Sequence, residues 1–168
     1  VRNMSLGGSV IRGKNQKPFN GEHDYDYIMW IDSDQTFEPN DFQRLLDQAE
    51  KHNSPITSGL YFMQPPHPMP REHMKFATVE KWDEDYFRKN GSFEFLMLKD
   101  IKDRQDELIE VSYTGFGWML VKRGVFEAME YPWFQHGAPV EIDGMENGMT
   151  AHDIVMEDVF FCRTAQDL

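Results

Sequence analysis

Residues 27–34 read YIMWIDSD, and the prediction of the fold starts from this stretch. Its first five residues are apolar, aromatic or β-branched, which predicts a buried β-strand over 27–31. Asp32 and Asp34 follow where that strand reaches the surface. Because side chains alternate along an extended segment, the two carboxylates should point the same way. The stretch therefore predicts a strand that ends in a pair of acidic side chains.

Such a pair of carboxylates favours a divalent cation. At about 5 Å and an effective dielectric of about 20, the two charges repel each other by about 3 kcal/mol. Mg²⁺ and Mn²⁺ prefer hard oxygen ligands and often complete their coordination with substrate phosphates. The alternative is that Asp32 and Asp34 only open a turn and cap a helix. A calcium-binding EF-hand loop does not fit, because Phe37 and Gln43 stand where a glycine and a glutamate are needed.

A helix and a second strand follow the acidic loop. Pro39 lies near the start of segment 39–52, whose apolar residues recur at i, i+3, i+4 and i+7, which predicts an amphipathic helix. After a break at 53–55, residues 56–62 predict a strand. The order strand, acidic loop, helix, strand is typical of an open α/β sheet, in which ligands bind at the carboxyl ends of the strands.

Length, charge and cysteine content exclude several classes of fold and function. The 168 residues, 40% hydrophobic and 14% aromatic, suit one folded domain. Seventeen basic residues against 29 acidic ones, a net charge of −12, argue against a nucleic-acid or anionic-membrane surface. The single cysteine, Cys162, excludes an internal disulfide and a multi-cysteine zinc site. No apolar run is long enough for a transmembrane segment, so we expect a cytoplasmic protein.

The middle of the chain contains a glycine motif between extended segments. Segments 75–82 and 93–98 look extended, and strands are predicted over 108–113 and 118–121, followed by a short helix. The last two strands flank Gly115 and Gly117. These glycines either permit a tight bend or leave room for a close neighbour.

Near the end of the chain, Glu157 and Asp158 begin an apolar segment that predicts a helix. The dipole of a helix favours carboxylates at this end, so both acids are either helix-terminal charges or site residues. The histidines are interpreted as loop residues rather than ligands; they include His67, His136 and His152.

Taken in order, these motifs resemble the nucleotide-sugar glycosyltransferases of the GT-A fold, particularly the family 2 type. The resemblance covers about 25–62 and 108–165, and it rests on residues 27–34, 37–39, 56–61, 114–126, 132–134 and 157–162. It implies a GT-A-like α/β fold with a mixed, mainly parallel sheet flanked by helices. Family members begin with a βαβ segment ahead of the part that matches here. We therefore expect 1–168 to be a single, truncated glycosyltransferase catalytic domain.

The resemblance also implies a donor site. The enzyme would move a sugar from a nucleotide-sugar donor to an acceptor hydroxyl. Asp34 would bind Mn²⁺ or Mg²⁺ on the donor diphosphate, and Asp32 would hold the donor or the metal's water shell. Gly115 and Gly117 would pass beneath the sugar or acceptor, where a Cβ would collide.

The acceptor side follows from the same resemblance. Asp158, beside Glu157, would be the general base that deprotonates the acceptor hydroxyl, with inversion at the anomeric carbon. Residues 63–107 match no pattern, so a saccharide, a lipid-linked acceptor and a protein all stay open.

Two other functions remain open at this stage. Residues 32–36, DSDQT, also fit the Asp-x-Asp-x-Thr motif of haloacid-dehalogenase-type phosphatases, with Asp32 as nucleophile and Asp34 as acid and base. Those enzymes usually place a hairpin after the motif, whereas this chain enters a helix at Pro39. The other alternative is a non-catalytic remnant of the fold that binds a nucleotide or carbohydrate.

Overall fold

The computed structural model describes residues 1–65, 67–104, 107–136 and 138–168. The helices are α1 (Arg2–Ser5), α2 (Pro39–Lys51), α3 (Glu84–Asn90), α4 (Leu98–Ile101), α5 (Val125–Ala128) and α6 (Glu157–Gln166). The strands are β1 (Tyr27–Ile31), β2 (Ile56–Ser58), β3 (Lys75–Val79), β4 (Phe95–Met97), β5 (Tyr113–Thr114), β6 (Trp118–Lys122), β7 (Ala138–Ile142) and β8 (Ala151–Val155). None of the helices in the described ranges is long and apolar enough to cross a membrane.

The central sheet has the strand order β1, β6, β2, and both outer strands run antiparallel to β6. The expected mainly parallel sheet is not confirmed, because every ladder between the described strands is antiparallel. The physical reason lies in the connection through α2. This connection places β2 two strand positions away from β1. β6, which comes much later in the chain, lies between them. β1 and β2 run in the same direction without pairing.

Two smaller units of antiparallel strands complete the chain. The order in the second sheet is β4, β3, β5. The third unit is a hairpin of β7 and β8, paired from Ala138 with Val155 to Ile142 with Ala151. The sequence did not predict this hairpin, because Pro139 and the acidic residues of its strands interrupt the apolar alternation that indicates a strand.

Local signals in the sequence predicted the positions of the elements better than they predicted the lengths. The predicted strand 27–31 and helix 39–52 are confirmed as β1 and α2, but β1 is only partly buried and its last residue, Ile31, is exposed. The strand predicted over 56–62 ends at Ser58, and the one over 108–113 is reduced to Tyr113–Thr114. In the second case β5 pairs only with Thr78 and Val79, where β3 ends. The length of a strand therefore depended on its partner.

The core lies on both faces of β6. Met119 and Val121 belong to the larger hydrophobic cluster, and Trp118 and Leu120 to the smaller one. Helix α2 covers the smaller cluster, and α5 and α6 contribute to the larger one, whose buried phenylalanine and tryptophan members are Phe116, Phe126, Trp133, Phe134 and Phe161. Because β6 is covered on both faces, its side chains from Trp118 to Val121 are buried whichever way they point.

Candidate active site

The first acidic residue is joined to the glycine motif through the backbone. Ile31 pairs with Trp118, so the end of β1 lies beside the start of β6. The backbone N–H of Asp32 donates to the carbonyl of Gly117 at 3.1 Å, and the N–H of Gln35 donates to the carbonyl of Asp32 at 3.0 Å. The acidic loop is therefore a tight turn held against the glycine motif. Asp34 lies further along the turn and is exposed to solvent.

Arg2 connects the acidic loop to the start of α6. Its Nη2 lies 3.3 Å from Oδ1 of Asp32, and its Nε lies 3.4 Å from Oε1 of Glu157. The guanidinium carbon is 4.8 Å from the centre of the Phe116 ring. The second oxygen of Glu157, Oε2, is 3.1 Å from Nε2 of His136. Two acids that are 125 positions apart in sequence, 32 and 157, thus share one arginine.

Tyr61 explains both glycines of the motif. The backbone N–H of Gly117 donates to the Tyr61 hydroxyl at 2.9 Å. A Cβ at Gly115 would lie 2.0 Å from that hydroxyl oxygen, and a Cβ at Gly117 would lie 2.6 Å from the ring carbon Cζ. A Cβ at either glycine would therefore collide with Tyr61, and the predicted place of both glycines beneath the sugar or acceptor stays a prediction.

Asp158 is half-buried at the first turn of α6, where its Oδ1 accepts a hydrogen bond from the Val159 N–H at 2.8 Å. Burial raises the pKa of the Asp158 carboxyl, and the neighbouring Glu157 charge raises it further, although the Val159 N–H and Arg2 act in the opposite direction. The pKa of Tyr61 is also raised, first by burial and then by the charges of Asp32 and Asp158. Tyr61 therefore lies within electrostatic reach of both acids.

The residues at the strand end fit a divalent cation that binds together with phosphate. Asp32 and Asp34 supply hard oxygen donors, and Mg²⁺ is usually held by one or two carboxylates plus substrate phosphates. Over the described ranges, no group of three or more His, Cys, Asp or Glu side chains is placed to hold a metal ion by itself. With Arg2 on Asp32, the exposed Asp34 is the carboxylate that remains open to a cation.

Comparison with known proteins identifies the family. A family model described as glycosyl transferase family 2 matches residues 21–129, which is more than half of the chain. The chain belongs to glycosyl transferase family 2. It is therefore a glycosyltransferase of the GT-A class, as the resemblance implied, and not a haloacid-dehalogenase-type phosphatase. Searches of curated proteins and of solved structures found no match. The matched segment contains Asp32, Asp34 and both glycines, and it ends before Glu157 and Asp158.

Sequence reasoning missed three residues of this candidate site. Arg2 and Tyr61 carry no local signal, because their partners are distant in sequence. The glycine pattern indicated a bulky neighbour but not which residue it is. His136 was interpreted as a loop histidine, and it lies in a loop, but its imidazole contacts Glu157.

Proposed function

We propose that this family 2 enzyme transfers a sugar from a nucleotide-sugar donor to an acceptor hydroxyl with the help of a divalent cation. The supporting observation is the contact of Arg2 with both Asp32 and Glu157. It brings the acidic loop at the end of β1 and the acids at the start of α6 to one place. Asp34, with Asp32 beside it, would hold Mn²⁺ or Mg²⁺, which stabilises charge on the departing nucleoside diphosphate.

We assign the general base to Asp158. Its carboxylate takes the proton of the acceptor hydroxyl as that oxygen attacks the anomeric carbon and the bond to the diphosphate oxygen breaks. Burial supports this role, because a raised pKa makes the carboxylate a stronger base. General-base assistance contributes about 10²–10⁴-fold to the rate. A base that activates the acceptor directly, with no covalent intermediate, inverts the anomeric configuration.

Glu157 has a different role in this proposal. Its Oε1 faces Arg2 and its Oε2 faces His136, so both oxygens already have a basic partner. A carboxylate held in this way orients its neighbours and is poorly placed to accept a proton from substrate. Glu157 is therefore a positioning residue. Arg2 places a positive charge beside Asp32, where negative charge develops on the departing diphosphate.

Calorimetry with UDP and GDP, each with and without Mn²⁺, tests the donor site. Asp34→Ala should abolish metal-dependent binding of the nucleoside diphosphate. Asp158→Asn should leave that binding intact and lower sugar transfer by about 10²–10⁴-fold. Asp47→Ala removes a carboxylate from the exposed face of α2 and serves as the matched control. Unchanged binding in Asp34→Ala would defeat the metal assignment, and undiminished transfer in Asp158→Asn would defeat the base assignment.

A further inference from the structure

Asp158 lines a cavity of about 270 Å³ whose other walls are mainly apolar. Five aromatic side chains line it, namely those of Trp82, Phe87, Phe93, Phe95 and Tyr113. Asp158 is the only charged side chain among the described residues that line this space. A partly buried carboxylate that lines a mainly apolar cavity is a common arrangement in sites that bind and deprotonate a ligand.

The walls come from parts of the chain whose function the sequence did not indicate. The aromatic residues of the lining lie within 82–113, and Ile142, Ala151 and Val155 of the β7–β8 hairpin form another part of it. Arg88 of α3 joins the two parts: its Nε donates to the carbonyl of Asp143 at 2.7 Å. The backbone N–H of Glu146 donates to the carbonyl of Arg88 at 3.2 Å. The hairpin is thus fastened to the helix beside the cavity.

We propose that this cavity is the acceptor subsite and that it takes a phenolic hydroxyl, carried on a single aromatic ring. The inference rests on the proposed function, in which Asp158 is the base. The phenol gives its proton to the Asp158 carboxylate, its oxygen bonds to the anomeric carbon, and the diphosphate leaves with the electron pair of the broken bond.

Three properties of the cavity select this chemistry. Its aromatic walls suit another ring, because rings attract each other in offset and edge-to-face arrangements; Trp82 and Phe93 already pack with centroids 4.1 Å apart. Its volume lies just below the range of about 300–1,000 Å³ typical of pockets for drug-sized ligands, which suits one ring. The lining offers a ligand hydroxyl one carboxylate, that of Asp158, whose Oδ1 already accepts from the Val159 N–H at 2.8 Å. A sugar ring would bury several hydroxyls, and each one without a partner would weaken binding about tenfold.

Binding of 4-methylphenol to the full chain, without donor or metal, tests the cavity directly. With ¹³C-labelled alanine methyl groups, the NMR signals of Ala77 and Ala151 should shift on titration, because both residues line the cavity. Ala49, in the smaller hydrophobic cluster under α2, should not shift. We expect a dissociation constant on the order of 1 mM for such a small ligand. Methyl glucoside should give no shift at the same concentration.

A cavity-filling variant makes the test specific. Ala151→Phe should weaken binding of 4-methylphenol at least about tenfold by occupying the space. Met149→Phe adds an aromatic ring to the same hairpin at a residue that is 63% exposed, and it should leave binding unchanged. The inference is overturned if the wild-type Ala77 and Ala151 signals do not shift, or if methyl glucoside shifts them more strongly than the phenol. It is also overturned if a folded Ala151→Phe binds as the wild type does.

A transfer assay separates this inference from the function on which it rests. Sugar transfer to 4-methylphenol that is lost in Ala151→Phe would support both. Transfer to a carbohydrate acceptor, with none to phenols, would overturn the acceptor assignment and leave the proposed function standing. Absence of Mn²⁺-dependent binding of nucleoside diphosphates would count against the proposed function, whatever the cavity binds.

Discussion

Replacing Gly115 by alanine tests whether Tyr61 is the reason for the glycine motif. The added Cβ would lie 2.0 Å from the Tyr61 hydroxyl oxygen and 3.3 Å from the Cβ of Ala77. Real Cβ contacts essentially never fall under 3.0 Å, so the hydroxyl has to retreat by about 1 Å. That movement breaks its hydrogen bond with the N–H of Gly117.

The cost follows from these two effects. Overpacking in a well-packed region costs about 1–3 kcal/mol, and an N–H left without its partner costs about 1–3 kcal/mol. Alanine also restricts the unfolded chain, which offsets about 0.4–1 kcal/mol of this loss in stability. We therefore expect Gly115→Ala to lower the free energy of unfolding by about 1–5 kcal/mol. This is a large share of the roughly 5–15 kcal/mol that stabilises a typical domain.

Urea unfolding of a double-mutant cycle with Tyr61→Phe measures the effect. Without the hydroxyl, the nearest ring atom is Cζ at 3.1 Å, so Gly115→Ala should cost at least about 1 kcal/mol less in the Tyr61→Phe background. The control is Gly8→Ala, whose Cβ would meet Tyr131 at 2.6 Å. Its cost should be equal in both backgrounds. A cost of Gly115→Ala that does not depend on the Tyr61 hydroxyl would refute the reasoning.

Two further predictions concern the charges around α6. Arg2→Gln should lower the free energy of unfolding by about 1 kcal/mol, less in high salt, because its carboxylate partners are partly exposed and screened. Arg2→Lys should recover only part of this loss in urea unfolding, since one ammonium does not reproduce the guanidinium fork; full recovery would contradict the shared contact. The folded pKa of Asp158 is raised above its ordinary value of 3.8, so the stability that this group contributes is present at acidic pH and is lost as pH rises through the folded pKa. Asp158→Asn should therefore melt at a higher temperature than wild type at pH 7, with a difference that disappears in acid; a constant difference would contradict the burial effect.

Much of the fold could be predicted because its signals are local. The apolar run at 27–31 and the helical spacing at 39–51 do not depend on distant partners, and both elements are confirmed. Strand direction and length could not be predicted, since each depends on which strand lies alongside. β6 separates β1 from β2 and makes the central ladders antiparallel. The β7–β8 hairpin was missed because its strands lack a clear alternation in sequence.

The candidate site shows the same division. An acidic pair after an apolar strand, two glycines before another strand, and two acids at a helix start were all readable in the sequence, and together they indicated the family. Their assembly into one place required the folded chain. Arg2 contacts Asp32 and Glu157, and Tyr61 fills the space above the glycines.

The chemical groups of this glycosyltransferase and the local elements that carry them follow from the sequence, because side-chain periodicity and helix-start preferences act over a few residues. The folded chain is needed to tell which acid has basic partners on both oxygens and which one lines a mainly apolar cavity. Burial and charge pairing arise from residues that are distant in the chain, and they give the adjacent Glu157 and Asp158 different surroundings.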